Sequence, residues 1–91
     1  MIETTLIIRH PDGLHARPAA DFYRKTREFK SRITIQNLSR PDGPEVPVSL
    51  FNLLQIGAAS GHRVRLRAVG EDEREAIRAL AALIEQQGGE R

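Results

Sequence analysis

The segment His62 to Val69 constrains the fold of this chain more than any other. Val64, Leu66 and Ala68 alternate there with Arg63, Arg65 and Arg67. A period of two sends successive side chains to opposite faces of a strand, so one face is apolar and the other wet. Slipping the pairing by one residue would turn the arginines into the core, which pins both face and register. The remaining elements must therefore cover one side of a sheet and leave its other side to solvent.

Other stretches read as strands. Glu3 to Arg9 carries Leu6, Ile7 and Ile8, and Arg32 to Leu38 alternates Ile33 and Ile35 with Arg32, Thr34 and Gln36. The turn formers Ser39-Arg40-Pro41-Asp42-Gly43-Pro44 read as a hairpin loop. A short strand follows near Glu45 to Val48. Pro47 has no N–H for a ladder bond, so this strand belongs at a sheet edge.

The helices are marked by spacing and by caps. From about Ala16 to Glu28, the residues Ala19, Ala20, Phe22, Tyr23 and Thr26 recur at helical intervals, while Arg24, Lys25 and Arg27 lie toward water. Ser49 is a good N-cap and Gly57 a good stop for a short helix between them. A last helix starts near Asp72 and presents Ala76, Ile77, Leu80, Leu83 and Ile84 on one stripe. Glu71, Asp72 and Glu73 complement its dipole, Gly88 and Gly89 end it, and the residues beyond are expected to fray. The order β-α-β-β-α-β-α predicts an α+β domain, with three helices on one face of a four-stranded antiparallel sheet. At 91 residues, a single domain over 1–91 is expected.

Composition removes several classes of function. With no cysteine, disulfides, thiol catalysis and cysteine metal sites are excluded. Met1-Ile2-Glu3-Thr4-Thr5 does not read as a signal peptide and no apolar run approaches a membrane span, so a cytoplasmic protein without membrane insertion is expected. His10, His15 and His62 have no metal-ligand spacing; no metal and no cofactor are expected, and His10 and His62 read as surface residues. The net charge is only +2, with arginine dominating residues 24–40 and 63–67. Such a basic surface suits nucleic acid or an acidic protein partner. The arginines of 63, 65 and 67 read as a solvated face, and the scarcity of aromatics (Phe22, Tyr23 and Phe29 sit on or beside the first helix) argues against nucleic acid.

One short segment carries chemistry. Asp12-Gly13-Leu14-His15-Ala16-Arg17-Pro18 places a histidine where a glycine turn opens into a helix. Proline is tolerated only in the first helical turn, so Pro18 sets the helix start near residue 16, or as late as Arg17 because residues before proline avoid the α region. Either way His15 lies beside unpaired N–H groups at the positive end of the dipole. That position attracts anions and favours a neutral, nucleophilic imidazole. Arg17 adds a cation able to fork onto phosphate oxygens. These groups together suit a histidine that accepts a phosphoryl group and gives it away. Asp12 reads as a turn or capping residue.

Gly13-Leu14-His15-Ala16-Arg17-Pro18-Ala19 resembles the active-site signature of the HPr family, the histidine phosphocarriers of the bacterial phosphoenolpyruvate-dependent phosphotransferase system. Ser49-Leu50-Phe51-Asn52-Leu53-Leu54-Gln55-Ile56-Gly57 resembles the serine-started short helix of the same family. The resemblance spans nearly the whole chain and implies an open-faced β-sandwich. It implies that His15 is phosphorylated on Nδ1 by phospho-enzyme I and passes the group to enzyme IIA components of sugar uptake. Arg17 would then steady the transferring oxygens, and Gly13 and Pro18 would shape the turn. The chain would be a phosphoryl-transfer intermediate rather than a free-standing enzyme.

The resemblance also implies a docking surface, with Ala16, Ala20, Arg24 and Arg27 on the first helix and Leu50, Phe51 and Leu54 on the second. The second helix is apolar on more faces than one-sided packing requires, which independently points to an exposed patch. Ser49 stands at the position of the family's regulatory serine, the target of HPr kinase/phosphorylase. Val48 and Asn52 depart from the basic residue and the glycine that flank it in the best-known kinase substrates, so Ser49 reads first as a plain cap. Two other functions fit the same residues: an HPr-like relay in a regulatory, nitrogen-type branch without sugar uptake, and a small basic nucleic-acid-binding module.

Overall fold

The structure, a computed structural model, describes residues 1–89. Its elements run in the order β1 (Ile2–Ile7), α1 (Ala16–Thr26), β2 (Arg32–Asn37), β3 (Val46–Pro47), α2 (Leu50–Gln55), β4 (Arg63–Val69) and α3 (Glu73–Gln87). The strands form one antiparallel sheet in the order β1-β4-β2-β3. The three helices cover one face, making the expected open-faced α+β sandwich. The expectation of fraying past the last helix concerns residues 90 and 91, which lie outside those described.

β4 lies between β1 and β2, and its side chains alternate between the covered and the open face. Val64, Leu66 and Ala68 are fully buried under the helices. On the open side, Arg67 stands opposite Glu3 of β1 and Thr34 of β2, and Arg65 stands opposite Thr5 and Gln36. Two arginines of the stripe, Arg65 and Arg67, are held by internal partners. Arg67 donates to Glu3 at 3.1 Å and to Glu45 at 2.9 Å, and Arg65 donates to the side-chain Oε1 of Gln36 at 2.6 Å. The Thr34 hydroxyl holds the Glu45 carboxyl below its ordinary pKa, with Arg67 and Arg65 adding to the effect against burial.

Leu14, Phe22, Ile35, Leu53, Leu80 and Ile84 join the β4 residues in one core drawn from strands, helices and the loop before α1. Each such side chain contributes about 1.5–3 kcal/mol by leaving water. α1 ends at Thr26, two residues before the expected Glu28. The Arg27 N–H is shared between the carbonyls of Tyr23 and Arg24, and Glu28 and Phe29 bond three residues back, so the last turn tightens out of α geometry. β3 is shorter than the expected Glu45 to Val48. Pro44 precedes it and Pro47 is its last residue, and neither can donate to a ladder. Its outer position at the sheet edge is the one Pro47 requires.

Asp72 does more than complement the α3 dipole. It occupies the N-cap position, but its carboxylate reaches across to the end of the α1–β2 connection instead of capping its own helix. It accepts from the Lys30 N–H at 2.8 Å, the Ser31 N–H at 2.9 Å and the Ser31 hydroxyl. The Ser31 hydroxyl and these backbone N–H groups hold its carboxyl below the ordinary value of 3.8. A carboxyl whose pKa falls on folding stabilises the native state above its unfolded value, and that contribution is lost as pH falls through the folded one. Asp72→Asn is therefore expected to lower the urea midpoint at about pH 7, and the gap to the parent protein should close below about pH 4. A gap that stays constant across that range would mean the carboxylate charge is not what these donors recognise.

Candidate functional site

The loop after β1 is fixed before it reaches His15. Ile8 enters the core and exchanges backbone bonds with the loop preceding β4, donating to the His62 carbonyl at 2.9 Å and accepting from Gly61 at 2.8 Å. His10 then closes a tight turn. Its carbonyl accepts from Gly13 at 2.9 Å and its Nδ1 accepts from the Asp12 N–H at 3.0 Å. His10 is buried, contrary to the surface position expected for it, because the turn uses the imidazole as an internal acceptor. His62 is half-buried for the same kind of reason, with its Nδ1 accepting from the Ala59 N–H at 3.1 Å.

Gly13 has φ +77°, a left-handed conformation that other residues adopt only with strain. A Cβ there would lie 2.7 Å from the Ala58 carbonyl oxygen and 3.0 Å from the Ala59 Cα. This close approach lets Leu14 donate to the Ala58 carbonyl at 2.8 Å while its side chain is completely buried. The residue next to the histidine is thus a core residue.

His15 is the N-cap of α1, with extended φ −128° and ψ 166°, and its imidazole makes no capping hydrogen bond. The half-buried ring is left for other chemistry. Ala16 follows with φ +49°, an uncommon conformation for alanine that costs on the order of 1 kcal/mol. The helix begins at this residue rather than at Arg17. Pro18 lies in the first turn, where its missing N–H has no acceptor to serve, so the free donors at this end are those of Ala16 and Arg17. The Pro18 carbonyl is tied to α3 by the buried Gln87 amide at 3.0 Å.

Arg17 projects into solvent, 86 % exposed, with its Nε 3.8 Å from the Asp21 carboxylate one turn along the helix. The other oxygen of Asp21 pairs with Arg24. Arg27 donates to the Tyr23 hydroxyl at 2.9 Å and lies over its ring. Ala16, Arg24 and Arg27 are exposed and Ala20 is half-buried, so these residues share the outer side of α1.

α2 packs beside α1 and is apolar on two sides. Leu53 and Ile56 enter the core, while Leu50, Phe51 and Leu54 are 42 %, 69 % and 45 % exposed. The Ser49 hydroxyl accepts from the Asn52 N–H at 3.0 Å and caps the helix, and the Asn52 amide donates to the Pro47 carbonyl at 2.8 Å. At the other end, the Ile56 carbonyl accepts from the buried Asn37 amide at 3.0 Å. Asn37, Gln87 and His10 support the site and were not legible as such, because their partners are distant in sequence or are backbone atoms. Asp21 was missed as well, although the Arg17-Asp21-Arg24 spacing is that of ion pairs along one helix face and could have marked it.

Comparison with known proteins assigns the chain to a family. The family model PTS-HPr, described as the PTS HPr component phosphorylation site, matches residues 2–86. The phosphocarrier protein HPr of Borreliella burgdorferi is 42 % identical over 86 residues, covering 93 % of this chain and 95 % of the relative. A multiphosphoryl transfer protein of Haemophilus influenzae is 41 % identical over 80 residues, which is 88 % of this chain. This chain spans only 16–22 % of the length of such multiphosphoryl transfer proteins. A crystal structure of HPr from Thermoanaerobacter tengcongensis superposes with a TM-score of 0.89 at 40 % identity, covering 100 % of this chain and 99 % of that one. The chain belongs to the HPr family of phosphotransferase-system phosphocarriers.

Gly13→Ala tests whether the left-handed turn and its close approach to Ala58 hold the site in place. The substitution is expected to cost about 1–3 kcal/mol in urea unfolding. An unchanged midpoint would mean that the Ala58–Ala59 backbone yields freely to the added methyl group.

Proposed function

We propose that this chain is a cytoplasmic phosphocarrier that takes a phosphoryl group on His15 from phospho-enzyme I and passes it to enzyme IIA components. The observation that carries this reading is the uncapped imidazole of His15 at the start of α1, on a turn pinned by Gly13 and Leu14. The lone pair of Nδ1 forms the new P–N bond while the donor's bond to phosphorus breaks and its electron pair returns to the donor. Such a transfer needs little from the protein beyond position and charge stabilisation. The N–H groups of Ala16 and Arg17 and the positive end of α1 supply fixed partial charge. Arg17 supplies a mobile full charge. Onward transfer is the same step reversed with a different nucleophile.

The exposed Leu50, Phe51 and Leu54, with Arg24 and Arg27 nearby on α1, support a docking surface for both partners. An apolar centre rimmed by arginine favours acidic partners and rapid exchange, as a relay requires. Ser49 we read as the cap of α2, its hydroxyl already engaged by Asn52.

Incubation with phosphoenolpyruvate and enzyme I, followed by intact-mass analysis, is expected to add one acid-labile phosphoryl group to the parent chain and none to His15→Ala. A phosphorylated His15→Ala would move the acceptor elsewhere. Arg17→Ala should slow transfer on the order of tenfold or more while changing enzyme I affinity less. An unchanged rate would make Arg17 a bystander.

A further inference from the structure

Arg17 is the one charged side chain assigned to the transferring group, yet its partner in this structure is not the histidine. It leans on Asp21, whose carboxylate bridges Arg17 on one oxygen and Arg24 on the other. Asp21 is only 23 % exposed, whereas Arg17 is 86 % and Arg24 72 % exposed. The carboxylate is therefore the member of the trio set into the protein surface, and the two arginines reach out into solvent. At 3.8 Å from Nε, Arg17 is the looser of the two. An exposed pair of this kind is worth little, typically less than 1 kcal/mol, so a stronger anion close by can take the arginine away. A phosphoryl group on His15 is such an anion, carrying nearly two negative charges and several acceptor oxygens two residues up the chain.

We infer that Asp21 is a positioning residue that competes with the phosphoryl group for Arg17, holding the arginine between transfers and weakening its grip on the phosphorylated histidine. This rests on the phosphocarrier reading and extends it. A carrier that bound its cargo with an unopposed guanidinium would sit in a free-energy well and pass the group on poorly. With Asp21 beside it, every Arg17–phosphoryl contact is made at the expense of an existing ion pair, so the net stabilisation of the phosphorylated state is smaller. Arg24, held on the other oxygen, keeps the carboxylate in place when Arg17 departs.

The test is an equilibrium exchange. Isotopically labelled parent chain and unlabelled Asp21→Asn are mixed with a trace of enzyme I and limiting phosphoenolpyruvate, and the phosphorylated fraction of each is read by mass. Asp21→Asn is expected to hold the phosphoryl group about two- to five-fold more strongly, the range set by an exposed ion pair. The same comparison between Arg17→Ala and the double variant Arg17→Ala/Asp21→Asn should give a ratio near one. The Arg17 Nε–H resonance should move on phosphorylation of the parent chain and should already be shifted in unphosphorylated Asp21→Asn. No preference for Asp21→Asn would overturn the inference. So would a preference of equal size without Arg17, since that would be direct repulsion between carboxylate and phosphoryl group. If the folded parent chain itself accepts no phosphoryl group, the carrier reading fails and this inference falls with it.

Discussion

The hydrogen bond from the Leu14 N–H to the Ala58 carbonyl, made possible by the left-handed Gly13, is the constraint on which the site depends. It ties the loop before α1 to the loop after α2, and so extends the contact that Ile8 makes with Gly61 and His62 where β1 runs past the start of β4. Leu14 locks the junction from beneath, because its fully buried side chain cannot leave without opening a cavity in the core. His15 follows directly and inherits that rigidity. The imidazole is thus held by the core through one peptide unit while its ring stays clear of structural hydrogen bonds. Ala16, at φ +49°, carries the strain of turning so abruptly into a helix, and the buried Gln87–Pro18 bond anchors the first turn from α3.

The charges divide into two sets with different degrees of freedom. On the open face of the sheet, Arg65 and Arg67 are tied to Gln36 and Glu3 on neighbouring strands, in a geometry that the pleat holds fixed, and Arg67 also reaches Glu45 just before β3. On α1, Arg17 and Arg24 are held by a single aspartate and reach far into water. Cross-strand pairs of the first kind stabilise the sheet and fix its register. Pairs of the second kind contribute little to stability and are easily exchanged for an external anion. Similar residue types therefore serve opposite ends, and the secondary structure beneath them decides which.

Much of this was legible in the sequence because the signals are local. The alternation around Val64 and Leu66, the stripe through Ala76, Ile77, Leu80 and Ile84, and the two-sided greasiness of Leu50 to Ile56 each reflect the period of one element. The start of α1 was legible from Pro18 alone to within a residue. What escaped was non-local. His10 and His62 looked like surface residues because nothing nearby announces that a turn will draw on an imidazole nitrogen. The three donors gathered by Asp72 come from the other side of the α1–β2 connection, and the Asn37–Ile56 bond joins a strand to the end of a distant helix. Edges were misjudged where a backbone donor was missing, as at Pro44 and Pro47, or where a helix tightened before stopping, as after Thr26.

In the function proposed for it, this chain has to satisfy two demands that oppose each other, and the geometry around His15 offers different materials for each. Acceptance needs positive potential at the nucleophile, which the start of α1 supplies without any moving part. Release needs that potential to be limited, since each kilocalorie of product stabilisation must be overcome in the next transfer. Backbone N–H groups cannot be withdrawn once the helix has formed, so only side chains can be adjusted. Placing the full charge on a long, exposed arginine, with an aspartate one turn away as its alternative partner, makes that part of the potential conditional on what sits at the histidine. The fixed dipole provides attraction and the shared arginine sets how long it lasts.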